Sequence, residues 1–337
     1  MKTLILGGTR FVGRHIAEAA LARGHDVTLF NRGQSDPEPG IDVERLRGNR
    51  DGDLTALRGR RWDAVIDVSG YVPRIVRASV ELLASAVDHF TFISTASVYA
   101  APKAGARIDE RAPLRTIKDE GREDYQDPAA YGALKALCER IVERAMPNQA
   151  FVPRLSLVVG PRDPTDRFTY WPRRVARGGP ILGFDSPDRI VLPFIDARDL
   201  AWWIVAGVEA GLTGTYNVGG EVGVTIGEVL ETCRVVSRVG NAAFVWVSEA
   251  FLLEHGVTPW TEVPLWVPRG RDDLAGLDST KALAEGLRLR PLAATIADTL
   301  AWDRTRPGNA APLAGLPAER ETELLELWQA AHGPRQG

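Results

Sequence analysis

A phenol and an ammonium group stand four residues apart in the segment Tyr131-Gly132-Ala133-Leu134-Lys135. Residues with this spacing share one face of a helix, and Pro128 predicts that a helix begins just upstream. A nearby ammonium group lowers the pKa of a phenol from its usual value of about 10 towards neutral pH. Tyr131 is therefore predicted to exchange a proton with a substrate oxygen, with Lys135 as the cation that tunes it.

Three hydroxyl residues, Ser94, Thr95 and Ser97, lie at the end of a strand predicted from Phe90 to Ser94. Ligands of open α/β sheets bind at the carboxyl ends of the strands. Thr95 is therefore expected to hydrogen-bond a substrate carbonyl. Hydroxyl residues are also common at strand ends for structural reasons, and this alternative stays open for Ser94 and Ser97.

A glycine-rich turn runs from Leu6 to Gly13, between a strand predicted at 3–6 and a predicted helix. In dinucleotide-binding folds this turn points backbone amides at a pyrophosphate. Gly7 permits the tight turn, Gly8 a close approach of the backbone to phosphate, and Gly13 close packing of helix against strand. The predicted cofactor-binding residues of the turn are Gly7, Gly8, Thr9, Arg10, Phe11, Val12 and Gly13.

The second predicted strand, 26–30, ends in Asn31-Arg32-Gly33 without an acidic residue. NAD-specific folds usually place an acid there to bind the ribose 2′-hydroxyl. Asn31 and Arg32 would not repel a 2′-phosphate, and Arg32 can pair with it. The sequence therefore predicts NADP as cofactor, with NAD as the alternative. A solvated loop arginine is the structural alternative for Arg32.

Short apolar runs alternate with amphipathic segments through the first half of the chain, which predicts a Rossmann-type α/β fold. Its doubly wound parallel sheet would carry helices on both faces, next to a smaller C-terminal substrate-binding lobe. We predict a dinucleotide-binding domain at 1–160, to which residues 190–220 return, and a substrate-binding lobe at 161–189 and 221–330. Further strands are predicted at 64–68, 151–159 and 215–218, helices at 12–21 and 199–209 and after 73 and 128, and a long loop at 101–128.

Composition restricts the classes of function. The 337 residues have a net charge of −3 without a basic block, and no apolar run has the length of a membrane span, so neither nucleic acid nor membrane is an expected partner. Two cysteines cannot build a disulfide framework, and the five histidines show no zinc-site spacing. With no export signal at the N-terminus, we expect a cytoplasmic protein that acts on a small molecule.

Several motifs in the same order resemble the extended branch of the short-chain dehydrogenase/reductase superfamily, which contains nucleotide-sugar epimerases, dehydratases and reductases. LGGTRFVG resembles the GxxGxxG turn of this branch, ISTASVYA the strand with the catalytic Ser or Thr, and YGALK the YxxxK element. PRLSLVVGP, PFIDARDLA and GTYNVGG resemble later segments of the same branch.

The resemblance assigns roles to the catalytic candidates. Tyr131 would be the acid/base, Lys135 would bind the nicotinamide-ribose hydroxyls, and Thr95 would orient the reacting oxygen, with Ser94 as the second choice. A homodimer through the helices that carry Leu83 and Tyr131 is also implied by the resemblance.

The resemblance further implies three cofactor contacts. Asn49 stands where the family usually has an aspartate that contacts adenine. Val68 and Ser69, in VIDVSGY, occupy the stretch that usually has the sequence HxAA and lines the cofactor.

The chain also departs from the family pattern. Arg10 replaces the middle glycine of the turn, and Asn31 replaces the NAD-type acid. Ala96 and Ser97 stand where the sugar dehydratases carry an Asp-Glu pair, which disfavours dehydration.

Three functions remain open. The first is an NADP(H)-dependent oxidoreductase that reduces a carbonyl or oxidises an alcohol. The second is an NAD(P)-dependent nucleotide-sugar epimerase. The third is a non-catalytic nucleotide- or RNA-binding relative, since some plant relatives with a GGTRF-like turn are described as RNA-binding stem-loop proteins.

Two further expectations concern the second half of the chain. Residues 163–179 combine arginines with Tyr170 and Trp171 and either hold a substrate or form a surface helix. Asp199 is expected to cap the helix that follows it.

Overall fold

Strands and helices alternate along the chain in a computed structural model that describes residues 1–34, 41–100, 106–270, 276–307 and 312–333. The strands are β1 (Lys2–Leu6), β2 (Asp26–Asn31), β3 (Glu44–Arg47), β4 (Ala64–Asp67), β5 (His89–Phe92), β6 (Ser94–Thr95), β7 (Ala150–Leu155), β8 (Leu157–Val159), β9 (Gly179–Phe184), β10 (Phe194–Asp196), β11 (Gly214–Val218) and β12 (Ala242–Val247). The helices are α1 (Phe11–Ala22), α2 (Pro73–Leu83), α3 (Pro128–Ala145), α4 (Tyr170–Ala176), α5 (Ala197–Glu209), α6 (Ile226–Ser237), α7 (Glu249–Glu254), α8 (Thr280–Ala284), α9 (Leu292–Asp303) and α10 (Ala318–His332). Within these ranges, no helix combines the length and the apolar character that a membrane span requires.

The main sheet has the strand order β11-β7-β5-β4-β1-β2-β3, and β6 also pairs with β7. All of these pairings are parallel. The chain leaves β1 towards β2 and β3 and then crosses to β4 on the other side of β1. The crevice for a ligand in such a sheet lies at this reversal, outside the ends of β1 and β4. The predicted doubly wound Rossmann-type fold is confirmed.

Alternate side chains of β1 enter two different cores. Leu4 and Leu6 belong to a buried cluster with Val76 of α2 and residues of α3. Ile5 belongs to a second cluster with Ile16 of α1 and residues of α5. Side chains of a strand alternate between the faces of a sheet, so the continuous apolar run of β1 fills both helix-covered faces.

The chain divides into two compact units. The first comprises Met1–Val158, Phe194–Gly220 and Gly276–Leu289, and the second comprises the remainder. The sequence places Gly276–Leu289 in the second lobe, but hydrogen bonds hold it in the first unit. Ser279 Oγ accepts from the Gly219 amide at 2.8 Å, and Lys281 Nζ donates to the Thr215 carbonyl at 2.6 Å.

The second unit contains the parallel pair β9 and β12 together with α4, α6, α9 and α10. The segment 163–179, which is rich in arginines and aromatic residues, contributes to the core of this unit. Trp171 is fully buried, and Tyr170 is nearly so. Arg174 is buried against Glu321 with 2.5 Å between Nε and Oε2. The burial of these side chains excludes a surface helix with solvated arginines for α4, and the alternative that residues 163–179 hold a substrate stays a prediction.

Two aspartates cap helices of the first unit. Asp127 accepts from the Ala129 amide at 2.9 Å and starts α3, where Pro128 fits the first helical position. Asp196, not Asp199, caps α5 by accepting from the Arg198 amide at 2.9 Å. The expectation for Asp199 was wrong because the helix begins two residues earlier, which places Asp199 in its first turn.

The structure also restricts the predicted homodimer. Leu83 is fully buried in the core between α2, α3 and the sheet, so it cannot contact a partner. The exposed positions of α2 include Arg74, Arg77 and Glu81. The homodimer stays a prediction, without Leu83 in its interface.

Candidate functional site

The glycine turn adopts the backbone that its sequence predicts. Gly7 and Gly8 have φ values of +107° and +83°, which side chains rarely allow. Phe11, at the start of α1, also has a positive φ of 35°, a strain of about 1–3 kcal/mol. The side chain of Arg10 makes no capping hydrogen bond, and the first turn of α1 contains no acidic residue. The first amides of α1 are therefore available to an anion.

Gly13 allows α1 to pack directly on this turn. A Cβ atom at Gly13 would lie 2.8 Å from Gly8 Cα and 2.9 Å from Val68 Cγ2. Gly8 follows β1 and Val68 follows β4, so both neighbours are held in place by strands of the main sheet. The position thus leaves room for glycine alone.

We expect Gly13→Leu to weaken dinucleotide binding by about tenfold or more, because a larger side chain must push α1 away from the turn. Fluorescence titration with NADPH measures the effect. Gly240→Ala is the control, because no atom lies within 4 Å of a Cβ built at Gly240 and its backbone is not in the positive-φ region that side chains rarely adopt. Unchanged affinity in Gly13→Leu would contradict the role of the turn.

A cavity of about 400 Å³ opens at the carboxyl ends of β1, β2 and β4. Six of the predicted cofactor residues line it: Gly7, Thr9, Asn31, Arg32, Asn49 and Ser69. The other predicted residues do not line it: Gly8, Arg10, Phe11, Val12, Gly13, Val68, Thr95, Tyr131 and Lys135. The remainder of the lining consists of Phe30, Gly33, Gln34, Gly48, Arg50, Asp51, Tyr71, Val72, Ile75 and Tyr125.

A second arginine reaches the end of β2. Arg47 is the register partner of Asn31 in the parallel pair of β2 and β3. Its guanidinium donates to Asn31 Oδ1, which also accepts from the Gly33 amide at 2.9 Å. Arg47 therefore lies beside the turn that carries Arg32. Arg47 could not be identified from the sequence alone, because the four residues of β3 carry no clear strand pattern.

A buried ion pair lies beside the cavity. Arg50 binds Asp67 through two hydrogen bonds of 2.7 Å each, Nη1 to Oδ1 and Nη2 to Oδ2. Asp67 is fully buried at the end of β4. The pair could not be predicted from the sequence, because Arg50 and Asp67 are 17 positions apart and belong to different elements.

Two tyrosines stack at the cavity wall. The rings of Tyr71 and Tyr125 have centroids 5.0 Å apart and planes inclined by 17°. Arg74 of α2 supports this contact, since it binds Asp51 at 2.7 Å and Glu123 at 2.7 Å. These contacts hold the loop before α3 against the cavity wall. The sequence predicted a loop in this region but not its position.

Thr95, the last residue of β6, lies next to Tyr131 of α3. Thr95 Oγ1 accepts from the Ser97 amide at 3.2 Å, and a side-chain hydrogen bond links Thr95 to Tyr131. Gly132 makes this approach possible, because a Cβ there would clash with the Ser97 carbonyl. The glycine after the tyrosine is thus a positioning feature that sequence reasoning overlooked.

Lys135 is buried beneath this pair. Its Nζ donates to the carbonyls of Gly70 and Ile93, each at 2.7 Å, and lies 4.0 Å from the centre of the Phe92 ring. Burial lowers the pKa of Lys135 to about 8, although Cys138 and other nearby groups partly oppose the shift. Gly70 stands between the cavity-lining residues Ser69 and Tyr71, so Lys135 connects α3 to the cavity wall.

The pKa of Tyr131 shifts in the direction opposite to our expectation. Burial, with a contribution from Tyr71, raises the pKa of Tyr131 to about 12, and the hydrogen bond with Thr95 only partly offsets it. The expected lowering of the pKa depended on the charge of Lys135 acting on the phenol. In the structure that charge is directed at two backbone carbonyls. Tyr131 is consequently a protonated phenol at neutral pH.

Ser94 belongs to a different network. Its hydroxyl donates to Glu139 of α3, which is buried and paired with Arg154 at 2.7 Å. Arg154 also donates to Tyr99 Oη at 3.0 Å, and Tyr99 donates to Asn217 Oδ1 at 2.5 Å. This network joins α3 to β7 and β11. Ser94 therefore has a structural partner, which removes it as the second choice beside Thr95.

We expect the pH dependence of stability to report the burial of Lys135. Its pKa is about 8 in the folded chain and 10.5 ordinarily, so the unfolded state holds more protons between these values. Its contribution to stability therefore rises with pH across that window. The Tm of the wild type should increase relative to that of Lys135→Met from pH 8 to 10.5. If the Tm difference between the wild type and Lys135→Met stays constant over this range, the burial of a charged lysine is contradicted. The same holds if this difference changes with pH no more than the Tm difference between the wild type and the control Lys118→Met.

Comparisons with known proteins fit this geometry. The sequence model of the NAD dependent epimerase/dehydratase family matches residues 3–219. The chain is 26% identical over 249 residues to the chloroplast stem-loop binding protein of 41 kDa b from Arabidopsis thaliana, a match that covers 69% of this chain and 62% of that protein. The chain thus spans less than two thirds of that relative.

Solved structures share the fold at low identity. UDP-glucose 4-epimerase from Thermus thermophilus, in complex with NAD, has a TM-score of 0.65 and 22% identity over 91% of this chain and 100% of that chain. The human epimerase family protein SDR39U1, with NADPH, has a TM-score of 0.61 and 21% identity over 89% of this chain and 99% of that chain. These likenesses concern the fold. The family match and the motifs together establish that the chain belongs to the NAD dependent epimerase/dehydratase family, in the extended branch of the short-chain dehydrogenase/reductase superfamily.

Proposed function

We propose that the chain is an NADP(H)-dependent oxidoreductase that transfers hydride between the cofactor and a small molecule. The observation that carries the proposal is the position of Lys135. It joins the helix of Tyr131 to the Gly70 carbonyl, between two residues of the cavity wall. The proton donor Tyr131 and the cavity at the carboxyl ends of β1, β2 and β4 thereby become parts of one site.

The residues present fit a nicotinamide dinucleotide. Gly7 and Gly13 leave room for close backbone approach, and the start of α1 offers free amides to a pyrophosphate. Asn49, which the family resemblance places against adenine, and Ser69, which it places along the cofactor, both line the same cavity. When bound, such a cofactor supplies or accepts the hydride. Relatives of the same fold include one solved with NAD and one with NADPH.

The chemistry of this chain's own residues favours carbonyl reduction. Tyr131, with its pKa raised to about 12, keeps its proton at neutral pH and can donate it to a carbonyl oxygen as hydride reaches the carbon. Thr95, which is hydrogen-bonded to Tyr131, orients that oxygen. Lys135 uses two N–H bonds for carbonyls and has a third to offer to ribose hydroxyls.

NADP is the proposed cofactor rather than NAD. Arg32 lines the cavity, and Arg47 lies beside the same turn. Two guanidinium groups, with no carboxylate in the described residues 31–34 at the end of β2, suit a 2′-phosphate. The amide oxygen of Asn31 is already engaged by two donors, which disfavours it as an acceptor for a ribose hydroxyl.

An epimerase that acts on a nucleotide-linked sugar is the second candidate. It is favoured by the match to a family that is named for epimerases and dehydratases and by the epimerase structures of the same fold. Such an enzyme returns the hydride to its own intermediate, so it keeps its cofactor and consumes none.

The test of the proposed function follows the fate of the cofactor. Purified protein is acid-treated to release any retained nucleotide, and NADPH oxidation is then followed with a panel of ketones and aldehydes. Stoichiometric NADPH consumption with formation of an alcohol supports the reductase. Retained NAD, with conversion of a UDP-sugar and no net consumption, would replace it with the epimerase.

A further inference from the structure

The Arg50–Asp67 ion pair connects three parts of the first unit. Besides its two bonds to Asp67, Arg50 donates from Nε to Ser79 Oγ in α2 and from Nη1 to Ser69 Oγ, each at 3.2 Å. Asp67 Oδ1 also accepts from the Ser69 amide at 3.0 Å. One guanidinium group therefore joins the turn after β3, the end of β4 and α2.

These connections involve both ends of the proposed cofactor site. The turn that carries Arg50, residues 48–51, lines the cavity on the side assigned to adenine. On the other side of the pair, Ser69 leads directly into Gly70, whose carbonyl accepts from Lys135 at 2.7 Å. Arg50 thus links the adenine-side turn to the segment that supports Lys135, through Asp67 and through Ser69.

A bidentate ion pair fixes geometry more than it adds stability. The side chain of Arg50 is 11% exposed and that of Asp67 is 0% exposed, so both charges lose most of their hydration. An apolar pair of similar volume often stabilises a core equally well. The planar guanidinium, however, defines the orientation of both partners, which an apolar contact does not do.

We propose that Arg50 is a positioning residue, which holds the adenine-side turn and the Val68–Gly70 segment in the one arrangement that binds the cofactor. The proposal rests on the proposed function, because it assigns the same cavity to a dinucleotide. Arg50 acts through the several hydrogen bonds that its planar guanidinium donates. A single positive charge at this position is therefore not sufficient to hold the two segments.

The test separates positioning from stability. Arg50→Met leaves the buried Asp67 carboxylate without its partner and is expected to lower both Tm and NADPH affinity. Arg50→Met combined with Asp67→Asn removes both charges. We expect this double variant to regain most of the lost Tm but to bind NADPH about tenfold more weakly than the wild type. Arg50→Lys keeps a charge without the planar guanidinium and should also bind about tenfold more weakly.

The matched control is Arg23→Met, which removes an arginine of the same unit that pairs with Glu209 on the surface away from the cavity. It should keep NADPH affinity. Arg50→Lys or a folded double variant with the affinity of the wild type would overturn the positioning role. A wild-type protein that binds neither NADPH nor NADH would contradict the proposed function itself, and this inference with it.

Discussion

Replacing Tyr131 with phenylalanine is expected to lower turnover by about 10²–10⁴-fold, the usual contribution of a positioned general acid. The substitution removes the only group in the described site that is both hydrogen-bonded to Thr95 and able to donate a proton at neutral pH. NADPH affinity should change by less than about twofold, or about 0.4 kcal/mol, because Tyr131 does not line the cavity. Steady-state NADPH oxidation with the best carbonyl substrate and fluorescence titration measure the two effects.

Tyr216→Phe is the matched control for this substitution. Tyr216 is a buried tyrosine of β11 in the same unit, and its loss of a hydroxyl leaves the cavity wall unchanged. Turnover of this control should stay close to that of the wild type. If Tyr131→Phe retains full turnover, the catalytic assignment is wrong. If it loses turnover and NADPH binding together, Tyr131 has a structural role instead.

The second large effect concerns the choice of cofactor. Arg32→Ala and Arg47→Ala should each weaken NADPH binding by about tenfold, since a hydrogen bond to a charged group contributes about 1.5–3 kcal/mol before solvent screening. NADH binding should change by less than about twofold in both variants, because NADH lacks the 2′-phosphate. Higher salt should reduce the NADPH preference of the wild type, since these guanidinium groups are exposed to solvent.

Arg77→Ala controls for the loss of a positive charge. Arg77 is exposed on α2 in the same unit and does not line the cavity. Its NADPH affinity should match that of the wild type. Equal weakening of NADPH and NADH in Arg32→Ala would indicate a contact other than the 2′-phosphate. Unchanged binding in both Arg32→Ala and Arg47→Ala would remove the basis for NADP.

The fold was largely predictable because its signals are local and repeated. The apolar run that predicts a strand at 3–6 occupies β1 with one added residue, and the predicted helix at 12–21 occupies α1 within one residue at each end. The predicted single strand at 151–159 is instead two strands, β7 and β8, which pair with different neighbours. Periodicity shows that a segment is extended but does not specify its partner, so the break at Ser156 was not visible in the sequence.

The candidate site was only partly predictable, for a physical reason. Gly7, Gly13 and the Tyr131–Lys135 spacing act through local backbone and helix geometry, which a short sequence window contains. Arg47 and the Arg50–Asp67 pair depend on which strands become neighbours. The pKa of Tyr131 was predicted in the wrong direction because the sequence did not show where the charge of Lys135 is directed.

The most direct test of the central claim is a fluorescence titration of the wild-type protein with NADPH and with NADH, after any retained nucleotide has been removed. We predict saturable binding of NADPH with a preference of at least about tenfold over NADH, which corresponds to about 1.4 kcal/mol. Gly13→Leu should reduce this binding. Absence of binding to either dinucleotide would contradict the assignment of the cavity and of the oxidoreductase function.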